Sequence, residues 1–245
     1  MTENVEKKEN LFLNLILNIA IPTIILIFFS GEDDLGVKNA IIIALAFPIG
    51  YGIYDFSRVK RINLFSALGV VSIFLTGGIT LLELDPKYIA IKEAAIPAIF
   101  GLATIISLYT PYPLVKTFLY NKKIIQVDRV TDSLKQYHNE SAFYSCLRNA
   151  TFMVASSFFM SSALNYGLAR YLLKSPPGTE EFNAELGRMT ALSFPVIAVP
   201  SMLVLMVTFF YLYKSITRLT HLGLEEIFVD PETHKQEEKT VGENE

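Results

Sequence analysis

The amino-acid sequence predicts an all-α protein that crosses a membrane with six helices. Of its 245 residues, 51% are hydrophobic and the mean hydropathy is +0.39, which is more apolar than a soluble domain of this size. The apolar residues gather in runs of about 17 to 25, the length that an α-helix needs to cross roughly 30 Å of hydrocarbon. Helices are required because lipid offers no hydrogen-bond partner to an open sheet edge.

The apolar runs place the six predicted spans within a single transmembrane domain, residues 1–228. The spans cover residues 11–29, 37–56, 64–82, 88–109, 143–173 and 191–213. Turn-forming residues separate them, among them Asp85-Pro86 and Ser175-Pro-Pro-Gly178. The acidic, polar residues 229–245 predict a disordered tail.

A short amphipathic helix is predicted between the fourth and fifth spans, over residues 127–137. Val127, Val130 and Leu134 recur there at helical spacing with charged residues between them. Two interpretations stay open: a helix lying on the cytoplasmic membrane surface, or a linker helix packed under the bundle.

The distribution of basic residues predicts the orientation in the membrane. Of the 21 Lys and Arg residues, most fall in the termini and in the loops on the same side as the termini. By the positive-inside rule, both termini of this multi-pass protein are expected to be cytoplasmic. Tyr residues near the span ends serve as interfacial anchors, because the sequence has no Trp.

An internal similarity indicates two inverted three-helix repeats. Residues Ile16–Ile24 resemble Ile91–Ile99, with a proline at the corresponding position in each. An odd number of spans in each half makes the halves inverted, an arrangement common in transporters. Chance similarity between apolar segments is the alternative.

Composition and motifs argue against several classes of function. A net charge of −3 gives no dense basic surface for nucleic acid. Cys146 is the only cysteine, so a disulfide within the chain and a thiolate metal site are both excluded. The sequence carries no metalloprotease, serine-hydrolase or phosphate-loop motif, so we expect no catalytic activity, cofactor or metal.

Several segments resemble a known family. They are residues 75–86, 91–97, 112–115 and 178–191, beginning Leu75-Thr-Gly-Gly, Ile91-Lys-Glu, Tyr112-Pro-Leu and Gly178-Thr-Glu-Glu. Together they resemble a family of bacterial six-helix inner-membrane proteins of unknown activity, sometimes described as transporter-like. Residues 77–114 also resemble, more distantly, intracellular septation protein A. The resemblance implies a six-helix fold in a bacterial inner membrane, and it implies no site residue.

Charged residues near the outer ends of the spans are the candidate site. A charge inside a membrane span costs roughly 2.5 to 3.5 kcal/mol at mid-bilayer, so such residues are functional candidates. The candidate solute- or ion-binding residues are the charged Glu83, Lys92, Glu93, Arg170, Glu185 and Arg188, together with the uncharged Asn165.

Two interpretations of this set stay open. In the first, Lys92 and Arg188 hold an anionic group in an outward-facing vestibule, while Glu93 or Glu83 binds a cation or carries a proton. In the second, the charges form interfacial ion pairs that hold short loops, since long side chains can reach water from one turn deep.

The first interpretation predicts a small-solute or ion transporter, surrounded by membrane lipid and expected to be a homodimer because six helices make a small unit. The alternative function is a non-transporting scaffold for envelope maintenance or septation. It would recruit partners through the amphipathic helix and the tail.

Overall fold

The computed structural model describes residues 15–59, 64–111, 113–120 and 125–228. The predicted tail and the first residues of the first predicted span lie outside them. The described chain forms nine helices: α1 Ile16–Phe28, α2 Val37–Val59, α3 Leu64–Leu81, α4 Lys87–Ser107, α5 Leu114–Leu119, α6 Val127–Gln136, α7 Glu140–Leu172, α8 Glu180–Thr220 and α9 Leu224–Ile227. Within these ranges there is no strand, only one isolated bridge between Ile125 and Phe228. The all-α fold class is therefore confirmed.

Three helices of the described chain are long and apolar enough to cross a membrane. They are α2 over Val37–Tyr54, α4 over Lys87–Ser107, and α8 over Glu180–Thr220. The described parts of α1 and α3 contain shorter apolar helices, Ile16–Phe28 and Val71–Leu81. These helices are compatible with a membrane protein. The count of six spans and the inverted repeat stay predictions.

Helix α7 covers the fifth predicted span but is less apolar than a membrane span and longer than one crossing requires. It runs for 33 residues, from Glu140 to Leu172, and is not among the three helices apolar enough to cross. Four serines and Asn165 lie along its second half and lower its hydropathy. At 1.5 Å per residue the helix is about 50 Å long, more than one bilayer crossing requires.

Helix α8 begins well before the predicted sixth span, which starts at residue 191. The hydroxyl of Thr179 accepts a hydrogen bond from the backbone N–H of Phe182 at 3.2 Å and caps the helix. Glu180 and Glu181 follow in the first turn, where negative charge is favourable beside the N-terminal end of the helix dipole. Residues 180–190 are therefore helical.

Two helices contain a π-turn just before a proline. In α1 the π-turn covers Ile16–Ala20 and precedes Pro22, and in α8 it covers Phe194–Ala198 and precedes Pro200. Proline has no N–H, and its ring clashes with the carbonyl four residues earlier. Bonding to the fifth preceding residue widens the turn and gives the ring room.

The chain divides into two units, and α4, α7 and α8 contribute residues to both. Unit 1 consists of Met1–Ile96 and Ser162–Val199, and unit 2 of Pro97–Ser161 and Pro200–Glu245.

The core of unit 1 forms where α1, α2, α4, the end of α7 and the first part of α8 meet. Its buried residues include Leu26, Ile41, Ile89, Ala169, Phe182 and Leu186. Gly187 of α8 lies so close to α1 that a Cβ there would be 2.9 Å from Cγ1 of Ile27 and 3.1 Å from the carbonyl oxygen of Thr23. The absence of a side chain at Gly187 allows the two backbones to approach.

The core of unit 2 encloses the amphipathic helix. Val130 and Leu134 of α6 are fully or almost fully buried, in a cluster that includes Leu147, Ile216 and Ile227. Two further hydrogen bonds fix this region: Ser133 Oγ donates to the carbonyl of Thr220 at 2.6 Å, and Asn139 Nδ2 donates to that of Leu219 at 2.8 Å. The apolar face of α6 therefore packs inside the protein.

Candidate functional site

All seven candidate site residues belong to unit 1, although they come from distant parts of the sequence. Their contacts separate them into groups. Glu83 pairs with Lys38 at the start of α2, and Glu185 binds the loop before α8. Lys92 and Glu93 form a partly buried pair, and Arg170 and Arg188 are exposed. Arg188 lies one turn after Glu185 on α8. Among the described residues, the ion-pair partner of Lys92 is Glu93, while Glu83 pairs with Lys38.

Glu185 holds the loop that precedes α8. One of its carboxylate oxygens accepts hydrogen bonds from the backbone N–H groups of Lys174 and Ser175, at 2.8 and 2.9 Å. The other accepts from the Ser175 hydroxyl at 2.9 Å. With both oxygens occupied, this side chain serves to connect the end of α7 to α8.

The turn between α3 and α4 carries two exposed ion pairs. Glu83 lies 3.5 Å from the ammonium of Lys38, and Asp85 lies 3.3 Å from that of Lys87. The Lys87 backbone N–H also donates to Asp85 at 2.8 Å, and this bond holds the pKa of Asp85 below its ordinary value. Glu83 and Asp85 therefore match the interpretation in which interfacial ion pairs hold short loops.

Lys92 is different, because its charge is buried. Its side chain is only 8% exposed, and its ammonium has three oxygen partners. Nζ donates to Ser72 Oγ at 3.0 Å and to Thr76 Oγ1 at 2.7 Å, and it lies 2.6 Å from Oε1 of Glu93. An ammonium has three donor protons, so each of its protons has an acceptor.

The Lys92 ammonium points into unit 1 and not toward the nearby turn. Thr76 lies five residues before the end of α3 and Lys92 five residues after the start of α4, so the two are level in this helical hairpin. Ser72 lies one turn further from the connecting loop. An ammonium bonded to both hydroxyls is directed away from the loop, whereas a snorkelling lysine extends toward water.

The Thr76 hydroxyl can accept a hydrogen bond from the ammonium because its own proton is used elsewhere. The Thr76 hydroxyl donates to the carbonyl of Ser72 at 3.0 Å, which leaves its lone pairs for Lys92. The Thr80 hydroxyl repeats the pattern one turn later by donating to the backbone carbonyl of Thr76 at 2.8 Å. The α3 surface that faces Lys92 therefore presents acceptors.

Helix α7 borders the same stretch of α4. Ser162 Oγ donates to the carbonyl of Ala94 at 2.8 Å, in the turn that precedes Pro97. Asn165 lies one turn further along α7. The Ser162 hydrogen bond joins α7 to α4 two residues after Lys92.

Sequence reasoning missed Ser72 and Asn183. Asn183 is completely buried, and its Nδ2 donates to Ser30 Oγ at 3.0 Å and to the carbonyl of Val37 at 2.9 Å. It thereby joins α8 to the end of α1 and the start of α2. The signal that could have revealed it is its position beside Phe182, one turn before Leu186 and Gly187, on the apolar side of a capped helix.

No family model matches the chain, and no curated protein or solved structure matches it. The resemblance described above therefore stays a prediction, and the geometry of the site is the basis of the functional argument.

Proposed function

We propose that this chain is an integral membrane protein that transports a small anion together with a proton, and that Lys92 and Glu93 are the binding pair. The observation that carries the proposal is the buried Lys92 ammonium, which has Glu93 as its ion-pair partner among the described residues. A buried ionisable group in an apolar helix is costly and is a functional candidate for that reason.

The pair provides a physical reason for coupling. A buried ammonium requires one negative partner, because an uncompensated charge in a low-dielectric interior is strongly unfavourable. A bound anion can replace the Glu93 carboxylate in that role if Glu93 takes up a proton. The site then carries the same net charge with and without the solute, so anion and proton bind together.

The exposure of the two side chains fits these roles. Lys92 is 8% exposed and fixed by Ser72 and Thr76, whereas Glu93 is 28% exposed. The carboxylate is therefore the member that can reach solvent to exchange a proton, and the ammonium is the stationary binding group.

The π-turns supply positions where helices of unit 1 can bend. Those in α1 and α8 both lie in this unit, and π-turns in helices frequently occur at functional sites. A transport cycle needs helices that change direction at defined points, and a widened turn before a proline is such a point.

The test is anion-dependent proton uptake by the purified full chain in weakly buffered detergent, followed by flux in proteoliposomes. The probes are chloride, phosphate, acetate and succinate. At 100 times its dissociation constant, a bound anion should also stabilise the wild type by about 2.7 kcal/mol. Lys92→Met should abolish the stabilisation, and Glu93→Gln should keep anion binding but lose the proton uptake.

The matched control is Lys87→Met, which removes an exposed lysine five residues earlier on the same helix. It should leave binding and flux unchanged. If Lys92→Met folds and still shows wild-type stabilisation by the same anion, or if no anion causes proton uptake in the wild type, the proposal is wrong.

The alternative, a non-transporting envelope scaffold, has a narrower structural basis. Because Val130 and Leu134 are buried in unit 2, the apolar face of α6 is already occupied. A partner would have to bind the charged face of α6, where Arg129 pairs with Glu226, or the tail. Capture of a partner that is lost with Arg129→Glu, in a chain showing no anion binding, would favour this function.

A further inference from the structure

A cavity of about 610 Å³ lies within unit 2, where α4 ends, α5 begins and the first half of α7 passes. This volume falls in the range of small-molecule sites, roughly 300 to 1,000 Å³. It is separate from the Lys92 site, which belongs to unit 1. The proposed transport function makes no use of it.

The charged groups around this cavity are cationic. Lys116 and Arg148 both line it, and none of the described lining residues is acidic. The Lys116 ammonium lies 5.1 Å from the ring centroid of Tyr144. No hydrogen bond or ion pair joins the exposed Arg148 guanidinium to another described residue. The cavity thus offers two positive charges to an anion.

The proposed membrane crossing of α4, on which this inference rests, would put the cavity at a membrane boundary. Its lining begins at Leu108 and Tyr109, directly after the apolar stretch Lys87–Ser107. Tyr109 is 84% exposed and Tyr144 is 58% exposed, and tyrosine is enriched where hydrocarbon meets water. Phe152, 47% exposed and two turns further along α7 from Tyr144, adds an apolar part to the lining.

We propose that this cavity binds the phosphate of an anionic phospholipid. The planar guanidinium of Arg148 can donate two parallel hydrogen bonds to phosphate oxygens, and Lys116 adds a second positive charge. Basic pockets between membrane helices at the interface are suited to anionic headgroups. A lipid also satisfies the apolar part of the lining, since its acyl chains continue past Phe152, whereas a free anion leaves that part uncovered.

The experiment titrates phosphatidylglycerol or phosphatidylcholine into the detergent-solubilised full chain and follows binding by native mass spectrometry and thermal unfolding. The cavity variant is Lys116→Gln/Arg148→Gln. Its matched control is Lys214→Gln/Arg218→Gln, which removes the same charge from exposed positions of unit 2 outside the cavity. A basic side chain that contacts the headgroup contributes about a fivefold gain in affinity, so losing the two that line the cavity should weaken phosphatidylglycerol binding about 25-fold, whereas Lys214 and Arg218 do not line it and should contribute little.

The expected pattern has three parts: wild type prefers phosphatidylglycerol to phosphatidylcholine, the control variant keeps that preference, and the cavity variant loses it. Equal losses in both variants would show general electrostatic attraction and overturn the site. Unchanged binding by the cavity variant would also overturn it. If inorganic phosphate protects the wild type and phosphatidylglycerol does not, the ligand is a free anion and the lipid assignment is wrong.

Because Arg148 is exposed, the single variant Arg148→Gln provides a second measurement that does not depend on folding of the double variant. It should weaken phosphatidylglycerol binding about fivefold and leave the melting temperature in phosphatidylcholine unchanged. Arg148→Lys should recover only part of the loss, because an ammonium has no planar fork.

Discussion

Removing the members of the Lys92–Glu93 pair one at a time and then together tests whether the buried ammonium depends on its carboxylate. The two charged groups are 2.6 Å apart, and the lysine is the more buried of the two. The variants are Glu93→Gln, Lys92→Met and the double substitution. Each keeps the approximate length of the side chain, so charge is the main change.

The exposures of the two side chains set the expected magnitudes. Breaking a fully buried pair costs about 3–5 kcal/mol, and the 28% exposure of Glu93 reduces this, so Glu93→Gln should lower the free energy of unfolding by about 2–3 kcal/mol. Lys92→Met leaves a carboxylate with access to water and should cost about 1–2 kcal/mol. The double variant contains no unpaired charge and should lie within about 1 kcal/mol of the wild type.

The assay is reversible unfolding in mixed micelles, from which a double-mutant cycle gives the coupling energy. Because the single losses total about 3–5 kcal/mol and the double variant lies near the wild type, we expect a coupling of about 3–5 kcal/mol, at or above the upper end for residues in contact. The control cycle uses Asp85→Asn and Lys87→Met, whose side chains are each 50% exposed and lie 3.3 Å apart. Its coupling should be much smaller than that of the buried pair, because water screens an exposed ion pair. Additive effects at Lys92 and Glu93, or equal couplings in both cycles, would refute the buried-pair argument.

Two further predictions concern the packing of α8 on α1 and α2. Gly187→Ala should lower the free energy of unfolding by about 1–3 kcal/mol through overpacking against Ile27. Gly167→Ala, where a Cβ meets open space, should raise it by up to about 1 kcal/mol. Equal melting temperatures for the two variants would contradict this. Asn183→Ala should cost about 1–3 kcal/mol because buried partners lose a donor. The control Asn39→Ala, at an exposed position, should change the free energy of unfolding by less than about 0.5 kcal/mol in the same unfolding assay. Similar losses in the Asn183 and Asn39 variants would disprove the role of Asn183.

The helical class was predictable because hydrophobic runs of membrane length allow few other structures. The boundaries of the helices were less predictable. The start of α8 was placed near residue 191 because hydropathy rises there, although Thr179 followed by two glutamates is a helix-start signal. Hydropathy reports where lipid can lie, while a helix continues for as long as its backbone is capped and packed.

The candidate site was predictable in part for a similar reason. Lys92 and Glu93 stand out as charges in an apolar run, so their residue types reveal them. Ser72 does not stand out, because a serine in a membrane helix can serve simple packing. Only the three-dimensional register of α3 on α4 shows that Ser72 and Thr76 accept hydrogen bonds from the ammonium.

The prolines bear on the predicted inverted repeat. The repeat was based on matching Pro22 with Pro97, but their local structures differ: Pro22 follows a π-turn, and Pro97 lies inside the helix Lys87–Ser107. The π-turn recurs at Pro200, in another helix. A widened turn relieves the clash of a proline ring, so it can arise at prolines that are unrelated by a repeat. The segments Ile21-Pro22 and Val199-Pro200 are therefore evidence for bending points in α1 and α8. An inverted repeat needs support from the order of the helices instead.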